Sequence, residues 1–275
     1  MSIFQKTIKE SISTDGIGLH SGEKSTIKFK PAATSSGITF IRTDLAGSPR
    51  IKAEVSNVFS TKRGTSLKNG NAEVFVVEHV LAALAGLGID NIEIEISGPE
   101  PPNLDGSALP YVKLLKQAGI APLKEERRII ELKKEIRVSQ NDSSIEARPY
   151  NGFRIDFVVN FPNTAIEEQS FSFEEGKTDF ERDIAPARTF GFIEEVEKLK
   201  VQGLAKGASL ENALALSKEG FVNSPRWNDE MARHKILDLI GDLALIGCGL
   251  KAYIIADKSG HELNIKFARE ILKTH

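Results

Sequence analysis

The same order of elements is written twice along this 275-residue chain. Each half carries a helix with a histidine near its start, then glycines, a strand, a loop holding a glycine and a polar residue, and a closing helix. In the first half the pieces are VEHVLAALAG, NIEIEI, NLDGS and ALPYVKLLKQAG; in the second they are residues 228–247, KAYIIA, DKSGHEL and NIKFAREILK. The intervals from His79 to Asp105 and from His234 to His261 differ by one residue. A unit of about 130 residues is domain-sized, too long for a solenoid repeat. The expected fold is therefore α+β, with two domains of similar topology, 1–123 and 124–275, related by pseudo-duplication. The competing explanation is chance order, which any α+β chain can produce. If the duplication holds, His79 and His234 face one another across the domain interface, where ligand sites tend to lie.

Period-2 alternation with Gly, Pro and Ser punctuation marks STIKFK, GITFIRT and RIKAEV as strands, and puts Ile92, Ile94 and Ile96 on one face of another. RIIELKKEIRV, SSIEARP, FRIDFVVNF and NALAL read the same way. STKRGTSLKNGNAE reads as an exposed loop or irregular hairpin, and APLKEERR, with its charges and proline, as a linker. Hydrophobic residues make up 40% of the chain and charged residues 27%, which argues against disorder. A formal net charge of −2 without a basic stripe argues against a nucleic-acid partner. The longest apolar runs are broken by charge or imidazole and residues 1–14 lack signal-peptide character, so no stable membrane insertion is expected. Cys248 is the single cysteine, which leaves no intrachain disulfide and fits a reducing compartment. A soluble, cytoplasmic monomer is expected.

Chemistry concentrates on the five histidines, His20, His79, His234, His261 and His275. The most informative pattern is His234-x-x-x-Asp238-x-x-x-Asp242. Steps of i, i+4 put the three on one helical stripe, each turned by about 40° from the last. Ile236, Leu239, Ile240, Leu243 and Ala244 fill the opposite arc. Imidazole and a short carboxylate one turn apart can both ligate zinc; a solvated face that happens to hold a histidine is the competing reading. His79 is followed on its own face by Ala82, Ala83 and Gly86, which leaves room for a partner helix. A third ligand from His79 would complete a His₂Asp set, with Glu78 beside it as general base for a water. Otherwise His79 is packed at a helix start. His261 is a candidate proton donor or oxyanion stabiliser, oriented by a carboxylate such as Asp242, or else an exposed loop histidine. No P-loop and no nucleophile elbow occurs, so phosphate contacts fall to Lys or Arg, with Lys235 well placed.

Taken in order from residue 14 to residue 264, the segments TDGIGLHSG, VEHVLAALAGLGIDN, LDGSALPYV, ARTFGF, RHKILDLIGDLAL and SGHELN resemble one family. It is the zinc-dependent UDP-3-O-acyl-N-acetylglucosamine deacetylases of lipid A synthesis. The resemblance implies zinc held by His79, His234 and Asp238, Glu78 as catalytic base and His261 as its positively charged partner. It further implies that Asp242 orients His261, that the Thr189 hydroxyl lies near the oxyanion, and that Lys235 contacts a substrate phosphate. By the same resemblance Phe190 lies where the family packs the substrate, and residues 192–207 resemble an insert that lines an acyl-chain passage. The implied fold has helices sandwiched between outer β-sheets. Two positions depart from the pattern: Val76 stands where many members carry threonine, and Ala208 where a second glycine is frequent.

The expected activity is release of acetate from the 2-acetamido group of a UDP-linked acylated amino sugar. Two other readings stand beside it: a deacetylase for a different acylated sugar nucleotide, and a non-catalytic α/β module that binds RNA or protein through its sheets.

Overall fold

The structure, a computed structural model, describes residues 4–274; His275 lies outside them. Two five-stranded paths frame the molecule. One runs, in spatial order, Ile12–Ile17, Lys24–Pro31, Ile92–Ile96, Ile38–Arg42 and Arg50–Lys52. The other runs Ile136–Gln140, Ser143–Arg148, Gly249–Asp257, Phe153–Val159 and Gln169–Glu174, with Ile129–Glu131 added in parallel beside Gly249–Asp257. In both, the central strand is antiparallel to one neighbour and parallel to the other, and the outer pairs are antiparallel. Strand order and direction are thus the same in the two sheets.

Alternation decides which way each strand faces. Ile92, Ile94 and Ile96 are fully buried, while Glu93 and Glu95 turn outward, Glu95 to Lys30 on the adjacent strand and Glu93 to Arg50 one strand further out. Among the described residues the α-helices are α1 (Glu78–Leu87), α2 (Leu109–Gln117), α3 (Ile193–Val201), α4 (Glu230–Ala244) and α5 (His261–Lys273). Helices α1 and α4 pack on each other, and α4 also packs on Phe153–Val159 and Gln169–Glu174. One apolar cluster joins Phe29 and Ile94 of the first sheet, Leu81 and Leu84 of α1, Ile236 and Leu239 of α4, and Ile155 and Ile254 of the second sheet. The helices therefore share their core with the inner faces of both sheets.

Two glycines set how close the elements come. A methyl group at Gly241 in α4 would lie 2.1 Å from the Glu78 carbonyl oxygen of α1. One at Gly86 would lie 2.2 Å from the Phe180 ring. Without side chains at these points, α1 can sit directly on α4 and on the turn at Phe180–Ile184.

One expectation is corrected. APLKEERR is no free linker, because most of it belongs to the strand Ile120–Glu126, which pairs with Phe4–Ile8 and runs through residue 123. A two-stranded ribbon has exposed edges, so it tolerates the charges and the proline that suggested a loop. STKRGTSLKNGNAE contributes to a small antiparallel sheet of Val58–Ser60, Ser66–Asn69 and Ala72–Val74. Of the two readings of this segment it is the irregular hairpin that holds, with a register shift between Val58 and Ser60 and with Thr65 and Ser66 buried. Among the described residues no helix is long and apolar enough to cross a membrane.

Candidate metal centre

The crossing of α1 and α4 determines what meets at the centre. Glu78 and His79 are the first two residues of α1. His234, Asp238 and Asp242 lie on successive turns of α4, and His261 opens α5 instead of sitting in the preceding loop. The α4 stripe is not solvated: His234, Asp238 and Asp242 are 3%, 2% and 0% exposed. Burying an imidazole and two carboxylates on one stripe is costly unless they are paired or hold a cation.

His79 and His234 do face each other, with ring centroids 5.2 Å apart. Asp238 Oδ1 lies 3.7 Å from His79 Nε2 and 3.3 Å from His234 Nε2. One donor atom from each of the three falls within 4.8 Å of the others. The tautomer of His234 follows from its other nitrogen. Nδ1–H donates to the Ala187 carbonyl at 3.1 Å, which leaves the Nε2 lone pair aimed at the cluster. Burial, reinforced by the neighbouring His234, pushes His79 down to about 3, so its ring is neutral. Burial also lowers His234. Burial alone would raise Asp238, but His234, Lys235 and His261 outweigh it and hold the carboxyl below its ordinary range. Two neutral imidazoles and one ionised short carboxylate suit a divalent cation of the zinc type.

Around this trio stands a second set of groups. Glu78 is buried and its Oε1 lies 3.8 Å from His261 Nε2. Burial drives Glu78 up, and with Asp238 and Asp242 nearby it outweighs the His261 charge, leaving the carboxyl at about 7. His261 goes the other way: burial would lower it, yet Asp242, Glu78 and Asp238 raise it to about 10. Its Nδ1–H donates to Asp242 Oδ2 at 2.9 Å. The same oxygen accepts from Asn264 Nδ2 at 2.8 Å, and Asp242 Oδ1 accepts from the Thr65 hydroxyl at 2.5 Å. Thr65 also donates its backbone N–H to Glu78 Oε2 at 2.9 Å.

The remaining expected residues lie on the rim. Lys235 is half-buried and donates to Asp238 Oδ2 at 2.8 Å, with its ammonium 5.4 Å from the Phe190 ring centre. Phe190 meets His234 edge-on at 5.7 Å. Thr189 is held by its backbone, donating to Gly106 and accepting from Leu214. Asp105, in the loop matching that of His261, is engaged elsewhere: it accepts from Ser107 and pairs with Arg226. In the insert, α3 buries none of its residues; Val196 and Leu199 are half-covered, and Val201 is 91% exposed. Beyond α3 the chain returns to the first half, where Ala205 N–H donates to His20 Nδ1 and Gly207 N–H to the Leu19 carbonyl.

Three supporting groups escaped the sequence reading. Thr65 lies in a polar stretch with no periodicity to flag it. Arg188 and Glu230 form a buried bidentate pair, Nε–Oε1 2.9 Å and Nη2–Oε2 3.0 Å, that fastens residues 187–189 to the start of α4. Arg188 lies inside ARTFGF, but nothing in the spacing linked it to Glu230, one turn before His234. Asn264, one turn into α5, was readable only as part of SGHELN.

Residues 5–273 match the model of a protein family described as UDP-3-O-acyl N-acetylglycosamine deacetylase. The chain is 43% identical to the UDP-3-O-acyl-N-acetylglucosamine deacetylase of Geotalea uraniireducens (strain Rf4), over 98% of this chain and 88% of that protein. It is 44% identical to the protein of that name from Shewanella violacea, over 98% and 90%. The Myxococcus xanthus protein of the same name is 42% identical, over 98% and 86%.

Proposed function

Because the chain belongs to the UDP-3-O-acyl N-acetylglycosamine deacetylase family, we propose that it is a cytoplasmic zinc hydrolase of lipid A biosynthesis. It removes acetate from the 2-acetamido group of UDP-3-O-(3-hydroxyacyl)-N-acetylglucosamine. The observation that carries the reading is the convergence of His79, His234 and Asp238, with Glu78 and His261 close beside them. A module that only bound RNA or protein would have no use for so costly a buried cluster.

His79 and His234 through Nε2, and Asp238 through its carboxylate, would hold the zinc. When bound, zinc supplies Lewis acidity, polarising a carbonyl and making a water more acidic. Glu78 accepts the proton of the attacking water, which is why it must be ionised. His261 remains an imidazolium because Asp242 faces its Nδ1, and its Nε2–H stabilises the oxyanion that forms. As the oxyanion collapses to acetate the C–N bond breaks, and the amine leaves with a proton from Glu78, which holds the one taken from water, or from His261. Thr189 offers a hydroxyl to the same oxygen. Lys235 reaches the substrate phosphates by leaving Asp238, and Phe190 packs the sugar end. Residues 192–207 take the acyl chain along the side of α3 that carries Val196 and Leu199. Residues 1–123 and 124–275 act as two units, each contributing one arm of the site, and the protein works as a monomer.

Elemental analysis tests the ligand set. The purified protein should carry about one zinc per chain, and His79→Ala, His234→Ala and Asp238→Ala should each lose most of it. Full metal retention in all three variants would overturn the assignment.

A further inference from the structure

Thr65 spends every polar group it has on the centre. Its carbonyl accepts from Val77 N–H at 3.1 Å, at the threshold of α1. Its N–H donates to Glu78 Oε2, and its hydroxyl to Asp242 Oδ1. The residue is fully buried, so no solvent competes for these bonds. It follows Gly64, whose φ of +149° lies in the region that favours glycine and where a methyl group would stand 3.0 Å from Glu78 Oε1. The backbone therefore passes close under the Glu78 carboxylate, and Thr65 is delivered between the two acid–base arms.

Asp242 Oδ2 is shared by His261 and Asn264, so only Oδ1 is left to fix the rotation of the carboxylate. The Thr65 hydroxyl is the side chain bonded to it. We propose that Thr65 is a positioning residue that couples the two arms: its hydroxyl locks the Asp242 carboxylate that orients His261, while its N–H locks Glu78. The inference rests on the roles given above to Glu78 and His261. It assigns Thr65 no contact with substrate or metal.

The test compares purified zinc-loaded variants on the UDP-acyl-sugar, with zinc content and melting temperature measured alongside. Thr65→Ser keeps the hydroxyl and should stay within about threefold of the parent kcat. Thr65→Ala and Thr65→Val remove it, and kcat should fall by about 10–100-fold. KM and zinc content should change by less than about twofold, because the binding groups are untouched. In an Asp242→Asn background, Thr65→Val should cost much less than it does alone, because the hydroxyl acts through that carboxylate. Equal activity of the Ser, Ala and Val variants would overturn the inference, as would fully multiplicative losses in the double variant. Loss of fold or zinc in the Ala and Val variants would also overturn it, since Thr65 would then support the structure and not the pair. Glu78→Gln in the same assay separates the two levels. If it is inactive while Thr65→Val is normal, only the Thr65 inference fails; if it is fully active, the reading of the site fails first.

Discussion

At the scale of single residues, the site pairs a carboxylate driven up with an imidazole driven further up: His261 Nε2 lies 3.8 Å from Glu78 Oε1 and 3.9 Å from Asp238 Oδ2. With Glu78 as the proposed base, which accepts a proton only when ionised, the rate should fall as pH drops through its value of about 7. With His261 as the proposed imidazolium, the rate should fall as pH rises through its value of about 10. A bound cation lowers both values, because it favours the carboxylate and opposes the imidazolium. The pH–rate profile should be a bell whose limbs lie at or below those two values and belong to the coupled site. Asp242→Asn should move the high-pH limb to lower pH, and an unmoved limb would show that this carboxylate does not hold the imidazolium. Glu78→Gln should keep its zinc yet lose about 10²–10⁴ in kcat, read by acetate release. The residues legible in the sequence were those that repeat at i, i+4 or stand beside a histidine. Thr65 and Arg188 were not legible, because each is defined by a partner far along the chain, Asp242 and Glu230.

At the scale of elements, the crossing of α1 on α4 brings His79 to His234 and Asp238, and Gly241 permits it. Gly241→Ala should push the Glu78 backbone away and destabilise the protein by about 1–3 kcal/mol. Zinc affinity should fall with it, since His79 and Asp238 then separate; denaturant unfolding and zinc titration measure the two effects. Unchanged stability would mean that the helices have slack at the crossing. Helix α3 makes a different prediction. Replacing Leu199 with a polar residue should raise KM for a long-chain substrate more than for a short-chain analogue, and equal effects would indicate ordinary packing. The helices and central strands were legible because their periods are regular and long. The ribbon at Ile120–Glu126 was not, because a two-stranded element with exposed edges carries the same proline and charges as a linker.

At the scale of the whole molecule, matching strand order in two sheets places matching helix starts opposite each other, and the centre lies between them. The expectation that His79 and His234 face each other was legible in the sequence and is met, but nothing in the spacing indicated that loop 103–107 would brace Thr189 and pair with Arg226. A cation joining α1 to α4 should stabilise the fold. At free zinc about a thousandfold above Kd the gain is about 4 kcal/mol, on the order of 10 °C in Tm for a chain of this size. Chelation should therefore lower Tm, and zinc should restore it. Product stoichiometry on one purified sample tests directly whether this centre deacetylates the sugar nucleotide. UDP-3-O-(3-hydroxyacyl)-N-acetylglucosamine should yield one acetate for each free 2-amine, with turnover lost on metal stripping and restored by about one equivalent of zinc. Undiminished turnover by fully stripped protein, or no acetate from the zinc-loaded protein, would contradict the account.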